Sequence, residues 1–202
     1  MIPFLIAAFV LAITPGPGIA YVVARTVSGG RKEGLASCLG TGLGGLIHVM
    51  ASALGVSLII AQSAFAFSIV KYVGAAYLFY LGFRMLFSKN AAHTNEEISP
   101  QGARRAFFEG IAVEALNVKT ALFFLAFLPQ FTNSYEPLMP QLVLLGGICV
   151  VLNTFVDVLA VLGANRLLTS SAKRAQREKI MVKTSGVTMI GLGAYLALAE
   201  RN

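Results

Sequence analysis

Read from its first residue, the chain alternates long apolar runs with short polar gaps. No Asp, Glu, Lys or Arg occurs in residues 1–24, 34–70 or 120–135. A helix rises about 1.5 Å per residue and a bilayer core is about 30 Å thick, so about 20 apolar residues span it. The pattern predicts six membrane-spanning helices, at 2–24, 34–60, 64–87, 106–130, 138–164 and 180–199. The gap around Gln62 and Ser63 is very short, the gap at 88–105 is polar, and the gap at 165–182 is basic. The expected fold is therefore an all-α integral membrane protein, one polytopic domain over residues 1–202. Its halves, 1–87 and 106–202, would be joined by a cytoplasmic loop at 88–105.

The basic residues follow the same alternation. Thirteen of the sixteen fall in the first, third and fifth connections, among them Arg25, Arg31, Lys32, Arg84, Arg104, Arg105, Arg166 and Lys173. The second and fourth connections have none. Lys and Arg concentrate in cytoplasmic loops, so those three connections face the cytoplasm and both termini face outward. A five- or seven-span topology would scramble this order. The start of the chain has no basic segment before its apolar run and is read as the first span rather than a cleaved signal.

Composition narrows the class further. Only 12% of residues are charged, against about 25% in soluble domains. The net charge of +7 forms no soluble basic face, since the charges sit between apolar runs, and this excludes a nucleic-acid partner. Cys38 and Cys149 lie inside apolar segments outside any C-x-x-C pair and read as small core residues. No G-x-x-x-x-G-K-[ST] motif and no metal-ligand spacing occurs, so neither cofactor nor metal is called for.

Several features inside the spans carry chemistry. Thr14-Pro15-Gly16-Pro17-Gly18 interrupts the first span, and two prolines and two glycines in five residues break a helix. Broken backbone is tolerated in hydrocarbon only where it is buried or lines a cavity. The N–H groups near Gly18, Ile19 and Ala20 would attract a carboxylate, and the freed carbonyls near Leu11 and Ile13 an ammonium. Asn117 and Lys119 lie near the middle of the fourth span. A centred lysine costs about 2.5–3.5 kcal/mol and needs a polar cavity or a partner. Asp157, with Asn153 one turn before it, is an intramembrane carboxylate, either a proton or substrate site or a partner of Lys119. Glu109 reads as a first-turn acid, and the deeper Glu114 as a cavity or paired residue. His48 reads as a hydrogen-bonded packing residue. Gly40, Gly42, Gly44 and Gly45, with Gly146 and Gly147, read as close-packing positions. A faint likeness between residues of the first three spans and the last three, such as Lys71 and Gly74 against Lys183 and Gly186, predicts an inverted 3+3 repeat, a transporter signature.

These segments also carry a family likeness. ITPGPG at 13–18, GGRKEGLASCLGTGLGG at 29–45, VKYVGAAYLFYLGFRML at 70–86 and ALNVKTALFFLAFLPQF at 115–131 resemble the LysE/RhtB family of bacterial amino-acid exporters, in family order and spacing. The resemblance implies an inner-membrane secondary transporter exporting amino acids or close relatives in exchange for protons. It implies that the Pro15–Gly18 break, the Asn117/Lys119 region and Asp157 form the substrate and coupling sites. Where the family usually has Asn-Pro-Lys, this chain has Val118, which weakens the expectation of a break in the fourth span.

The combined reading is a proton-coupled exporter of a small zwitterion working in a lipid bilayer, not an enzyme. Thr14, Pro15, Gly16, Pro17, Gly18, Asn117, Lys119 and Asn153 would bind substrate, and Asp157 and Glu114 would couple it to protons. A homo-oligomer is left open. The rival readings are an inorganic-ion exporter, which Lys119 opposes, a thiol–disulfide carrier using Cys38 and Cys149, and a membrane scaffold without transport.

Overall fold

The computed structural model describes residues 1–87, 99–133, 135–167 and 171–198. Helix α1, Ile2–Ile13, stops where Thr14 turns extended (φ −74°, ψ 114°). Gly16 is extended as well, and α2, Pro17–Ala51, opens with Pro17 in its first turn. Proline suits that position because its missing N–H would find no helical partner there. The TPGPG segment is thus a true interruption of the first span.

Within α2 the backbone of Gly30 takes φ 77°, ψ −175°, a region open almost only to glycine. The chain reverses there. Gly34 comes up against Thr26, and Gly18 lies beside Thr41, so residues 17–29 and 31–51 run antiparallel. The connection expected over 25–33 is therefore a hairpin pivoting on one residue. The second limb continues through a π turn, Ser52–Val56, into α3, Ser57–Gln62; Ser63 then separates α3 from α4, Ala64–Phe87.

Helix α5, Ala103–Ala115, starts earlier than expected and ends at Leu116. After the break come α6, Val118–Leu122, a π turn, Phe123–Phe127, and a 3-10 turn, Leu128–Phe131. The fourth span is thus broken although Val118 stands where a proline would. Asn117 does the work instead, because its side chain accepts a hydrogen bond from the Lys119 N–H and caps the new helix. Helix α7 covers Leu138–Leu167 and α8 covers Ser171–Leu198. The sixth helix was expected from 180. Residues 171–179 contain no Gly or Pro and are rich in Ala, Lys, Arg, Gln and Glu, good helix formers, so the helix extends into the basic gap. The remainder of the loop at 88–105, residues 88–98, lies outside the described residues.

Among the described residues, three stretches are long and apolar enough to cross a membrane, Pro17–Ile59 (which turns back at Gly30), Phe65–Phe87 and Leu138–Ala164. Ala103–Ala115 with Val118–Phe131, bent by 45°, makes a fourth, and Ile2–Ile13 and Val182–Leu198 are apolar but shorter. Large apolar side chains such as Leu39, Met50, Leu58, Phe65, Leu144 and Phe155 are exposed around the perimeter. That much exposed apolar surface suits a bilayer rather than water. The interior holds a cluster built from Phe4, Phe123, Phe124, Phe127, Leu142 and Met189.

Helices approach closely through glycines, as membrane helices do. Gly40 faces Gly110 and the Phe107 carbonyl, which joins α2 to α5. Gly82 and Gly186 face each other's carbonyls and join α4 to α8. The broadest packing is α2 on α5, α4 on α8 and α2 on α7, with α1 also on α7. Elements before residue 88 thus pack chiefly on elements after residue 102.

Candidate functional site

The two helix breaks meet. At the end of α1 the carbonyls of the last turn have no helical partner. Lys119 Nζ donates to one of them, Leu11 O at 3.2 Å, and to the Thr14 carbonyl just past the helix end at 2.8 Å. Its side chain passes over Gly16, where a Cβ would stand 3.0 Å from Nζ. The freed carbonyls attract an ammonium as their chemistry requires, and that ammonium belongs to the protein.

Glu114 occupies the other side of the junction. Its Oε1 accepts from Thr120 Oγ1 at 2.7 Å and its Oε2 from Asn117 Nδ2 at 3.0 Å. Oε2 lies 2.5 Å from where a Gly18 Cβ would stand, so the carboxylate rests against the first turn of α2. The negative charge sits at the positive end of a helix. His48 Nε2 donates to the Glu114 carbonyl at 2.7 Å, which also accepts from the Asn117 N–H at 3.0 Å. Glycine at position 18 leaves the space that the carboxylate fills.

Asp157, buried on α7, is held more lightly. Its Oδ2 lies 3.0 Å from Thr41 Oγ1, whose single proton is shared with the Cys38 carbonyl, also at 3.0 Å. Its other oxygen, and the side chain of Asn153, make no hydrogen bond among the described residues. No ion pair joins Lys119 to Asp157 there, so the pairing considered from the sequence is not formed in this structure.

These groups line one cavity. Thr14, Gly18, Glu114, Asn117, Lys119, Asn153 and Asp157 come together there, as do Thr41, Thr120, Thr154 and Phe124, which the sequence reading missed. Pro15, Gly16 and Pro17 do not line it and act through the backbone they shape. Thr41 had one available signal, a hydroxyl in the middle of the glycine run at 40–45. The cavity measures about 30 Å³, enough for ordered water and too little for an amino acid.

A second polar cluster lies at one end of the α2 hairpin. Arg25 NH2 donates to Glu109 Oε2 at 2.9 Å, Nε to Tyr21 OH at 3.2 Å and NH1 to the Ser99 carbonyl at 3.3 Å. Glu33 Oε1 accepts from the backbone N–H of Gln101 and of Gly102, at 3.0 and 2.7 Å. Arg25 and Glu33 are both buried. The charge alternation places Arg25 among the basic residues of the first connection and says nothing of Glu33.

The fold and the cavity define a multi-pass membrane protein with a small polar cavity between two broken helices. The LysE type translocator model matches residues 9–200, and the chain belongs to that family. It is 30% identical over 202 residues, 98% of this chain and 95% of the relative, to the homoserine/homoserine lactone efflux protein of Salmonella typhimurium. It is 28% identical over 211 residues to the uncharacterized membrane protein YrhP of Bacillus subtilis, covering 98% of this chain and 99% of the relative. A membrane protein of Vibrio cholerae is 27% identical over 203 residues, with 98% and 96% covered. No solved structure matches the chain.

Proposed function

We propose that this translocator exports amino acids or close derivatives across the bacterial inner membrane in exchange for protons, with Asp157 as the coupling residue. The observation that carries the reading is the state of Asp157: a buried carboxylate facing the cavity with one shared hydrogen-bond donor. Such a group needs a proton or a cation, because an uncompensated charge in hydrocarbon is costly. A substrate ammonium and a proton would therefore compete for it, and competition for one group is what antiport requires.

In this reading the six expected spans form two inverted halves, 1–87 and 106–202. The reciprocal packing of Gly82 on Gly186 supports it, as do the breaks in the first and fourth spans. Connections one, three and five face the cytoplasm and both termini face outward. The centre is too small for an amino acid in this state, so loading requires one half to rock on the other. The relatives named for homoserine efflux make homoserine the first compound to try.

The test uses purified protein in liposomes loaded with radiolabelled L-homoserine. An inward proton gradient should speed its release by the wild type. Asp157→Asn at equal incorporation should lose the response to the gradient. Release by Asp157→Asn that follows the gradient as in the wild type would remove Asp157 from the coupling role.

A further inference from the structure

The C-terminal end of α1 holds a cation. The Leu11 carbonyl in its last turn and the Thr14 carbonyl just past it converge on one place, and Lys119 Nζ occupies it at 3.2 and 2.8 Å. A helix C-terminus carries partial negative charge. In membrane transporters the carbonyls at such a half-helix end coordinate the coupling cation. The lysine is delivered from the other break. Asn117 accepts from the Lys119 N–H, which fixes the backbone where the side chain starts. Gly16 gives the side chain its passage, since a Cβ there would stand 3.0 Å from Nζ, 3.1 Å from Cε and 3.4 Å from Cδ. Lys119 forms no ion pair among the described residues. An ammonium held by carbonyl oxygens instead of a carboxylate is held as a bound ion is. It is also the one base among the cavity-lining residues, where Glu114 and Asp157 are the acids.

Resting on the exporter reading above, we infer that the carbonyl end of α1 is a binding site for one monovalent cation, and that the Lys119 ammonium fills it as a tethered ion in place of an alkali ion from solution. A free ion would enter and leave with each cycle. A tethered one stays with the protein, so its charge crosses no membrane and the site is never empty. Lys119 is then a positioning residue: it joins the break in the first span to the break in the fourth and balances the acids of the cavity, without itself touching the substrate.

The experiment empties the site and refills it. Lys119→Ala keeps Cβ and removes three carbons and the ammonium, which propylammonium replaces atom for atom. Thermal unfolding of the full chain in detergent is compared in propylammonium chloride and in choline chloride, whose cation has no N–H to donate. The wild type and Lys119→Met, which fills the same space without a charge, are measured alongside and report any ammonium taken up at Asp157. Propylammonium should raise the melting temperature of Lys119→Ala, relative to choline, by at least about 3 °C more than it raises that of the other two. A rise no larger than theirs would overturn the inference. If Lys119→Ala does not survive extraction, it is extracted in either salt, and propylammonium should recover at least about threefold more monodisperse protein. Equal recovery would again overturn the inference. A second arm follows release of radiolabelled L-homoserine from wild-type proteoliposomes, which should change by less than about twofold when sodium is replaced by choline on both sides. A tenfold loss without sodium, about 1.4 kcal/mol, would show that a free ion is needed after all. Homoserine that leaves no faster than from protein-free vesicles would remove the exporter reading, while the melting comparison still decides the cation site.

Discussion

Asp157 and Lys119 are both ionisable groups placed among helices, yet the fold treats them differently. Lys119 is anchored by two carbonyls and Asp157 by a share of one hydroxyl. Thr41→Val keeps the shape and removes that hydroxyl. A hydrogen bond to a charged group contributes about 1.5–3 kcal/mol, so transport at low substrate should fall by about 10- to 150-fold. Thr41→Ser should retain most of it. Initial rates in proteoliposomes decide the matter, and a valine variant as fast as the wild type would show that the hydroxyl does not prepare the carboxylate. The sequence made the chemistry of each residue legible: carbonyls freed near Leu11 would take an ammonium, and a deep lysine would need partners. It did not say that the lysine supplies that ammonium. Leu11 and Lys119 are 108 positions apart, and no periodicity within either helix encodes which side chain crosses from one break to the other.

At the level of elements, each break has a local cause. Pro17 opens α2 by its geometry, whereas Asn117 opens α6 by its side chain. Val118 is the first residue of α6 and Asn117 before it is extended (φ −74°, ψ 101°), a conformation that proline accepts in its predecessor. Val118→Pro should therefore leave transport within about twofold, with stability unchanged or raised by up to about 1 kcal/mol from reduced freedom of the unfolded chain. Asn117→Ala removes the cap and should cost about 0.5–2 kcal/mol, beyond what Glu114 loses. Thermal unfolding in detergent measures both, and a proline variant less stable than the alanine one would refute this account of the break. At the hairpin, Gly30→Ala forces a side chain into φ 77°, a strain of about 1–3 kcal/mol that the same measurement should register. Helix existence was readable from apolar runs, because burial in lipid demands them. The reversal at Gly30 was blurred into a nine-residue connection, because a glycine's φ leaves no mark on hydropathy.

For the whole molecule, the Arg25 cluster ties the α2 hairpin to the chain entering α5. Arg25→Met leaves Glu109 without its buried partner and Glu33 without its neighbour at 4.0 Å. Glu109 keeps Arg105 and Tyr21, but the carboxylate of Glu33 is buried, so removing Arg25 costs up to about 3–5 kcal/mol and this variant should melt well below the wild type. Arg105→Met removes a largely exposed pair with Glu109 and should change stability by no more than about 1 kcal/mol. Equal melting of the two would mean that the cluster does not hold the hairpin. Such long-range ties are not legible in sequence, since Arg25 reads only as a basic residue of the first connection and Glu33 gains a role only where the hairpin meets residues 99–102. The packing of early helices on late ones also bears on how the protein is made. Helix α4 presents Gly82 to a partner, Gly186, that the ribosome adds about a hundred residues later. Until α8 is synthesised, the small-residue face of α4 lies open in the bilayer, and a chain truncated before Ser171 never covers it. Such a fragment offers the exposed surface that membrane proteases and chaperones sort by, so incomplete chains should be cleared rather than left as leaky half-transporters.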